Sequence, residues 1–313
     1  MLKKNNFYGK DVISIADFGR DDILFLFQKA TQMQKLVEKN GGDDRLRGKI
    51  MTALFYEPSS RTFGSFVASM QRLGGGIIPL QGVTYSSVSK GETLPDTVRT
   101  FESFSYVIVI RHPEKGAARI AADFCNKPVI NAGDGIGEHP TQAFLDAFTI
   151  FHHFSNITSL TIGMIGDLLN GRTVHSLSQL LLLLGVKNFV LVSPKQLSMP
   201  AEIVTKIKKH GGNVQELQSL IDNISNMDII YDTRVQKERF TDEREYEKLK
   251  FAYIINKKVM AKAKKSAVLM HPLPRVGEIA IEVDSDPRAL YLREQMRNGM
   301  YIRMALLDLI LNK

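Results

Sequence analysis

Hydroxyls, guanidinium groups and imidazoles collect in this chain where a short apolar run gives way to a helical pattern. After Phe55 comes Tyr56-Glu57-Pro58-Ser59-Ser60-Arg61-Thr62, which places two serines, an arginine and a threonine at a helix start. The first amide N–H groups of a helix have no intrahelical acceptor and lie at the positive end of its dipole. Ser59, Ser60, Arg61 and Thr62 are therefore the parts of an anion cradle. A plain helix cap at Ser59 or Ser60 is the competing reading, but a cap has no need of a bidentate phosphate ligand such as Arg61 beside it. Arg111-His112-Pro113 follows the apolar run 107–110, so Arg111 is expected to face a ligand, with a structural ion pair as the alternative. His139-Pro140-Thr141-Gln142 opens another helix, and residues three apart share a helix face, so His139 and Gln142 can meet one ligand.

The second half repeats the theme. Arg172 follows Asn170-Gly171 at a helix start, where the dipole repels a cation, and an anionic ligand would explain the placement. Arg234 and Gln236 lie in Asp232-Thr233-Arg234-Val235-Gln236-Lys237, another basic stretch after an apolar run, although its end from Lys237 reads equally as a solvated charged face. In His271-Pro272-Leu273-Pro274-Arg275 two prolines fix a corner, and either X-Pro bond there could be cis. The hydroxyl-rich loop 81–91, with Ser86 and Lys90, exceeds the ~2–6 residues of most such connections. It is a lid or an irregular loop.

Other chemistries drop out. The glycines at 133, 135 and 137 suggest a dinucleotide fingerprint, but Glu138 occupies its last glycine position. Cys125 is the single cysteine, and His152 and His153, adjacent on a helix, do not face one another. No metal site and no cofactor are expected.

These residues need a scaffold. Strands are predicted at 49–55, 77–80, 106–110, 128–130, 161–165, 189–192, 228–231 and 267–270, alternating with helical patterns such as 62–73 and 140–153. The alternation predicts an α/β protein of two three-layer domains, each a mainly parallel sheet flanked by helices and joined by two interdomain helices. The expected division is 1–139, completed by a C-terminal helix (residues 288–313), and 140–287, with that helix predicted to begin at Pro287. The length of 313 residues agrees with two domains. Ligands in such sheets bind beyond the carboxyl ends of the strands, where these residues lie.

Composition narrows the class further. Lys plus Arg total 41 against 33 Asp plus Glu, a net charge of +8, yet the dense clusters at 206–210 and 257–265 lack stacking aromatics and no nucleic-acid module is present. No apolar run approaches the ~18 residues of a membrane span. With one cysteine and no secretory pattern, a cytoplasmic, reducing setting is expected.

The ordered set Ser-Ser-Arg-Thr, Ser-x-x-x-Lys-Gly-Glu-Thr, Arg-His-Pro, His-Pro-Thr-Gln, Gly-Arg-Thr-Val-His-Ser, Thr-Arg-Val-Gln-Lys-Glu-Arg and His-Pro-Leu-Pro-Arg resembles the aspartate carbamoyltransferase family from Phe55 to the C-terminal helix. The resemblance implies carbamoyl transfer from carbamoyl phosphate to the α-amino group of L-aspartate, an early step of pyrimidine biosynthesis. It implies Ser59, Ser60, Arg61 and Thr62 as the phosphate loop, with Ser86, Arg111, His139, Gln142, Leu273 and Pro274 also on carbamoyl phosphate. Lys90, Arg172, Arg234, Gln236 and Leu273 would meet aspartate, and the catalytic set would be Arg61, Thr62, Lys90, Arg111 and His139. Ser86 and Lys90 would enter a neighbouring subunit's site in a homotrimer, and a regulatory chain is left open. Ser60 replaces the family's usual threonine and keeps the hydroxyl. A carbamoyltransferase for ornithine or another amine is the nearest alternative, disfavoured because an ammonium calls for acids where Arg234 and Gln236 stand. A noncatalytic carbamoyl phosphate-binding homologue would be expected to lose Arg61, Lys90 or His139, and all three are present.

Overall fold

Continuous apolar runs such as Val107–Ile110 suit strands buried on both faces, as parallel strands between helical layers are. In a computed structural model, which describes residues 5–82, 87–237 and 240–313, these runs form two all-parallel sheets. The chain divides into one unit of residues 1–145 with 297–313 and a second of 146–296.

The first unit carries α1 (Arg20–Asn40), β1 (Ile50–Phe55), α2 (Ser60–Arg72), β2 (Gly76–Gln81), α3 (Leu94–Glu102), β3 (Val107–His112), α4 (Ala117–Asp123), β4 (Val129–Asp134) and the start of α5 (Pro140–His153). The sheet order is β2-β1-β3-β4. Leu54, Val98, Ile108, Ile110 and Val129 form a core against it, and α2 turns Phe66 and Met70 inward. Each such side chain contributes about 1.5–3 kcal/mol by leaving water. The chain's last helix ends within this unit, where Asp308 accepts from Lys29 at 3.1 Å and Arg45 at 3.0 Å.

The second unit runs through β5 (Thr161–Gly166), α6 (Arg172–Leu183), β6 (Asn188–Val192), α7 (Ala201–Lys209), β7 (Asn213–Leu217), β8 (Ile229–Thr233), α8 (Glu243–Leu249), α9 (Lys257–Lys262), β9 (Val268–Met270) and the start of α10 (Glu294–Leu311). Its sheet order is β7-β6-β5-β8-β9. Ile165, Val192, Ile230, Leu269 and Tyr291 belong to its core. Strand β7 has no counterpart among the sequence expectations, because it pairs only with β6 and keeps Asn213, Gln215 and Glu216 exposed, leaving little apolar signal.

Most strand boundaries shift by one or two residues, and three differences bear on the site or the domain ends. The final helix begins at Glu294 and not at Pro287, since the intervening segment is held otherwise. Ala289 bridges Leu269 in parallel, and the Arg288 guanidinium donates to the carbonyls of Lys264 and Met260. Strand β4 continues to Asp134, and β8 to Thr233, so Asp232 and Thr233 sit in the sheet.

Both sheets have one point where the strand order reverses. In the first, β1 leads to β2 on one side while β3 lies on its other side. In the second the corresponding pair is β5 and β8. Loops leaving neighbouring strands in opposite directions open a crevice at their carboxyl ends, the usual ligand position in this architecture. Among the described residues, no helix is long and apolar enough to cross a membrane.

Candidate active site

The first unit's reversal point receives the expected phosphate loop. Ser59 is the N-cap of α2, yet its side chain makes no capping bond. The first helical bond runs from the Phe63 amide to the Ser59 carbonyl, so the amides of 60–62 precede the ladder. The plain cap reading at Ser59 therefore loses its support. Ser60 and Arg61 are exposed while Thr62 is 7% exposed. A hydrophobic contact of Phe63 with Phe55, ring centroids 5.3 Å apart and nearly perpendicular, ties the helix start to the strand.

Arg111 lies at the end of β3, paired in register with Phe55. Its guanidinium stands 2.6 Å from Glu57 and donates to the Ala132 carbonyl at 3.3 Å. The ion pair weighed as an alternative is present, and Glu57 is a residue to which the sequence reasoning assigned no role. Burial pulls the Arg111 pKa down and the Glu57 charge opposes it, so the cation is retained.

The loop after β4 is built from acids and glycines. Asp134 accepts from the amides of Gly116 at 2.9 Å and Glu138 at 2.7 Å. Glu138 reaches back to the Ser14 hydroxyl at 2.5 Å and the Ile15 amide at 3.0 Å. That anchoring explains why an acid stands where a dinucleotide loop has glycine. Gly135 has φ +54°, and a Cβ there would lie 2.3 Å from the Pro113 carbonyl oxygen, so only glycine fits. The loop delivers His139, 4% exposed, to the head of α5, where its carbonyl accepts the amides of Gln142 at 3.0 Å and Ala143 at 3.1 Å. Its Nδ1 lies 3.4 Å from the Thr141 hydroxyl.

On the long loop, Lys90 ends a helical turn at Ser87–Lys90 and is exposed. Ser86 lies outside the described residues. The following segment is anchored by Glu92, which accepts the Thr97 hydroxyl at 2.7 Å.

In the second unit, β5 and β8 approach closely at their ends. Gly166 has φ +103°, and a Cβ there would stand 2.0 Å from the Thr233 carbonyl oxygen. Arg172 is the first residue of α6 after β5, and Arg234 with Gln236 follows β8. Asp167 organises both loops: it accepts the Asn170 amide at 2.9 Å and the Gln236 amide at 3.4 Å, while Gln236 Nε2 donates to the Asn170 carbonyl at 3.0 Å. Burial raises the Asp167 pKa, opposed by these hydrogen bonds. Asp167 and Asn170 stood in the motifs but carried no role in the sequence reading. The solvated-face reading of Lys237 holds, since it is exposed and 2.5 Å from Glu243.

The corner after β9 places Leu273 at φ +56° with a cis bond to Pro274. The Leu273 amide donates to His271 Nδ1 at 2.8 Å. That acceptor role leaves the proton on Nε2, which stands 2.8 Å from Glu278. Burial lowers the His271 pKa, which keeps the ring neutral and the arrangement intact.

One neighbouring acid is deeply buried. Asp232 is 1% exposed, and among the described residues its Oδ2 has no hydrogen-bond partner. Burial first, then the charge of Glu278, push its pKa well above the ordinary 3.8. A raised carboxyl pKa contributes stability that is fully present below the unfolded value and lost as pH rises through the folded one. Asp232→Asn, neutral at every pH, is therefore expected to match the unaltered chain in Tm under acid conditions and to exceed it by a growing margin toward pH 8. Thermal scans across that range check this, and a constant gap would contradict it. Among the described residues, no group of three or more His, Cys, Asp or Glu side chains could hold a metal ion.

Comparison with known proteins shows the family. The carbamoyl-P binding domain model of the aspartate/ornithine carbamoyltransferases matches residues 10–152, and their Asp/Orn binding domain model matches 158–310. The aspartate carbamoyltransferase catalytic subunit of Methanopyrus kandleri is 47% identical, covering 98% of this chain and 99% of that one. Multifunctional protein pyr1-3 of Dictyostelium discoideum is 47% identical over 99% of this chain, which spans 14% of that protein's length. The crystal structure of aspartate transcarbamoylase from Trypanosoma cruzi in complex with carbamoyl phosphate and aspartate superposes with a TM-score of 0.93 at 42% identity, covering 98% of each chain. With both domain models matched in order and relatives alike over nearly the full length, the chain belongs to the aspartate/ornithine carbamoyltransferase family.

Proposed function

We propose that the chain transfers the carbamoyl group of carbamoyl phosphate to the α-amino group of L-aspartate, giving N-carbamoyl-L-aspartate and phosphate. The observation that carries the choice of aspartate is the pair of guanidinium groups, Arg172 and Arg234, that follow the adjacent strands β5 and β8, with Gln236 held beside them. Two carboxylates match two guanidinium groups, and no acid in that set awaits the ammonium of ornithine.

In this reading, Ser59, Ser60, Arg61 and Thr62 bind the phosphate, with Ser86 and Lys90 from the long loop. Arg111, His139 and Gln142 meet the carbamoyl group, Leu273 and Pro274 present backbone to it, and Leu273 also meets aspartate. The amine attacks the carbonyl carbon, the C=O electrons move onto oxygen, and collapse of the tetrahedral oxyanion breaks the bond to phosphate. The departing phosphate is a competent acceptor for the proton lost by the amine. Thr62, Arg111 and His139 donate to the developing oxyanion, where one such donor is worth ~2.7–4 kcal/mol. Arg61 and Lys90 neutralise the leaving phosphate. Positioning supplies much of the remaining acceleration.

Ser86 and Lys90 serve a neighbouring subunit's site in this proposal, which makes the enzyme a homotrimer. Light scattering is expected at three times the 35.1 kDa chain mass. A fully active monomer would contradict shared sites. The reducing compartment expected from the single cysteine makes the cytoplasm the proposed location, and pyrimidine biosynthesis the proposed setting.

A phosphate-release assay offering aspartate, ornithine and putrescine in turn tests the substrate. Release with aspartate alone is expected, and activity with ornithine but none with aspartate would overturn the choice.

A further inference from the structure

The second unit's groups assigned to aspartate sit on three separate stretches, at the head of α6, after β8 and after β9. Each of these stretches is tied to one buried carboxylate. Asp146, within α5, is fully buried. Its Oδ2 accepts the Tyr231 hydroxyl at 2.6 Å, and its Oδ1 accepts Gln295 Nε2 at 2.7 Å. Tyr231, in β8, lies three residues before Arg234, and its hydroxyl also shares a hydrogen bond with Thr173, the residue after Arg172. On the other branch, Gln295 Oε1 accepts the His271 amide at 3.0 Å, and His271 Nδ1 in turn accepts the Leu273 amide at 2.8 Å. Tyr231, Gln295 and His271 are themselves buried, so water does not substitute for these bonds.

A buried ionic group is a poor source of stability, since apolar side chains of similar volume are often neutral or better in its place. Its bonds do fix geometry, because a donor displaced from the carboxylate is left unsatisfied in the interior. We propose that Asp146 is a positioning residue for aspartate, holding Arg172, Arg234 and Leu273 in one arrangement through Tyr231 and Gln295. This rests on the assignment of those three residues to aspartate made above.

The test uses the full-length enzyme. Tyr231→Phe removes a single hydroxyl and keeps the ring, so the fold is retained, and the aspartate KM is expected to rise about tenfold, the loss of one hydrogen bond to a charged group. The carbamoyl phosphate KM is expected to rise less than the aspartate KM, because its phosphate ligands Ser59–Thr62 lie on the first unit and only Leu273 and Pro274 among its ligands are reached by this network. Asp146→Asn keeps the shape and one acceptor and raises the aspartate KM less than Asp146→Ala. Should Asp146→Ala fail to fold, Tyr231→Phe and Asp146→Asn decide the matter. An unchanged aspartate KM in both, with only Tm lowered, would reduce Asp146 to a structural brace and overturn the proposal, as would equal rises in both KM values. If the unaltered enzyme does not carbamoylate aspartate, the functional assignment itself fails, an outcome visible before any variant is made.

Discussion

Arg61→Ala is expected to lower kcat by two to three orders of magnitude and to leave the protein folded. The side chain is exposed in the first turn of α2, so its removal opens no cavity. A cation at a helix N-terminus opposes the dipole by ~0.3–1 kcal/mol, which offsets part of what the loss of the side chain's own contacts costs, so Tm is expected to change little. In the proposed role, what disappears is a charged donor at the phosphate, whose charge grows as the bond to carbon breaks. Losing such a donor costs ~2.7–4 kcal/mol, or about 10²–10³ in rate. Steady-state phosphate release together with a thermal scan separates the two effects. Near-normal turnover in the folded variant would contradict the role of the Ser59–Thr62 loop.

The second large effect falls on the other substrate. Arg234→Ala is expected to raise the aspartate KM by about 100-fold, since bonds from a charged donor to a carboxylate are worth ~1.5–3 kcal/mol and the guanidinium can make two of them. The carbamoyl phosphate KM is expected to change little. Arg234 also adds to the forces that keep His271 neutral, with burial the larger one, so its loss leaves the His271 tautomer in place. Initial rates with each substrate varied in turn check this. A rise confined to the carbamoyl phosphate KM would move Arg234 out of the aspartate set.

Much of this site is written in short-range pattern. The continuous apolar runs of β1, β3, β5 and β8 name themselves as buried strands, and ligands follow such strands, so Arg61, Arg111, Arg172 and Arg234 could be singled out by position. What escaped depends on contacts distant in sequence or on surfaces with little apolar signal. Strand β7 is a polar edge. Glu57 meets Arg111 only because β1 and β3 are neighbours. Asp146 and Gln295 are separated by 149 positions and look like ordinary polar helix residues until folding buries both. The segment 287–293 has a proline-led helical look, yet its backbone and Arg288 are spent on the edge of the second sheet.

The central claim is the identity of the carbamoyl acceptor, and it can be read directly. Carbamoyl phosphate labelled with carbon-13 is incubated with the enzyme and equal amounts of aspartate and ornithine, and the products are followed by NMR. The label is expected on the α-nitrogen of aspartate, with one phosphate released for each carbamoyl group transferred. Label on the side-chain nitrogen of ornithine, or on neither amino acid, would contradict it.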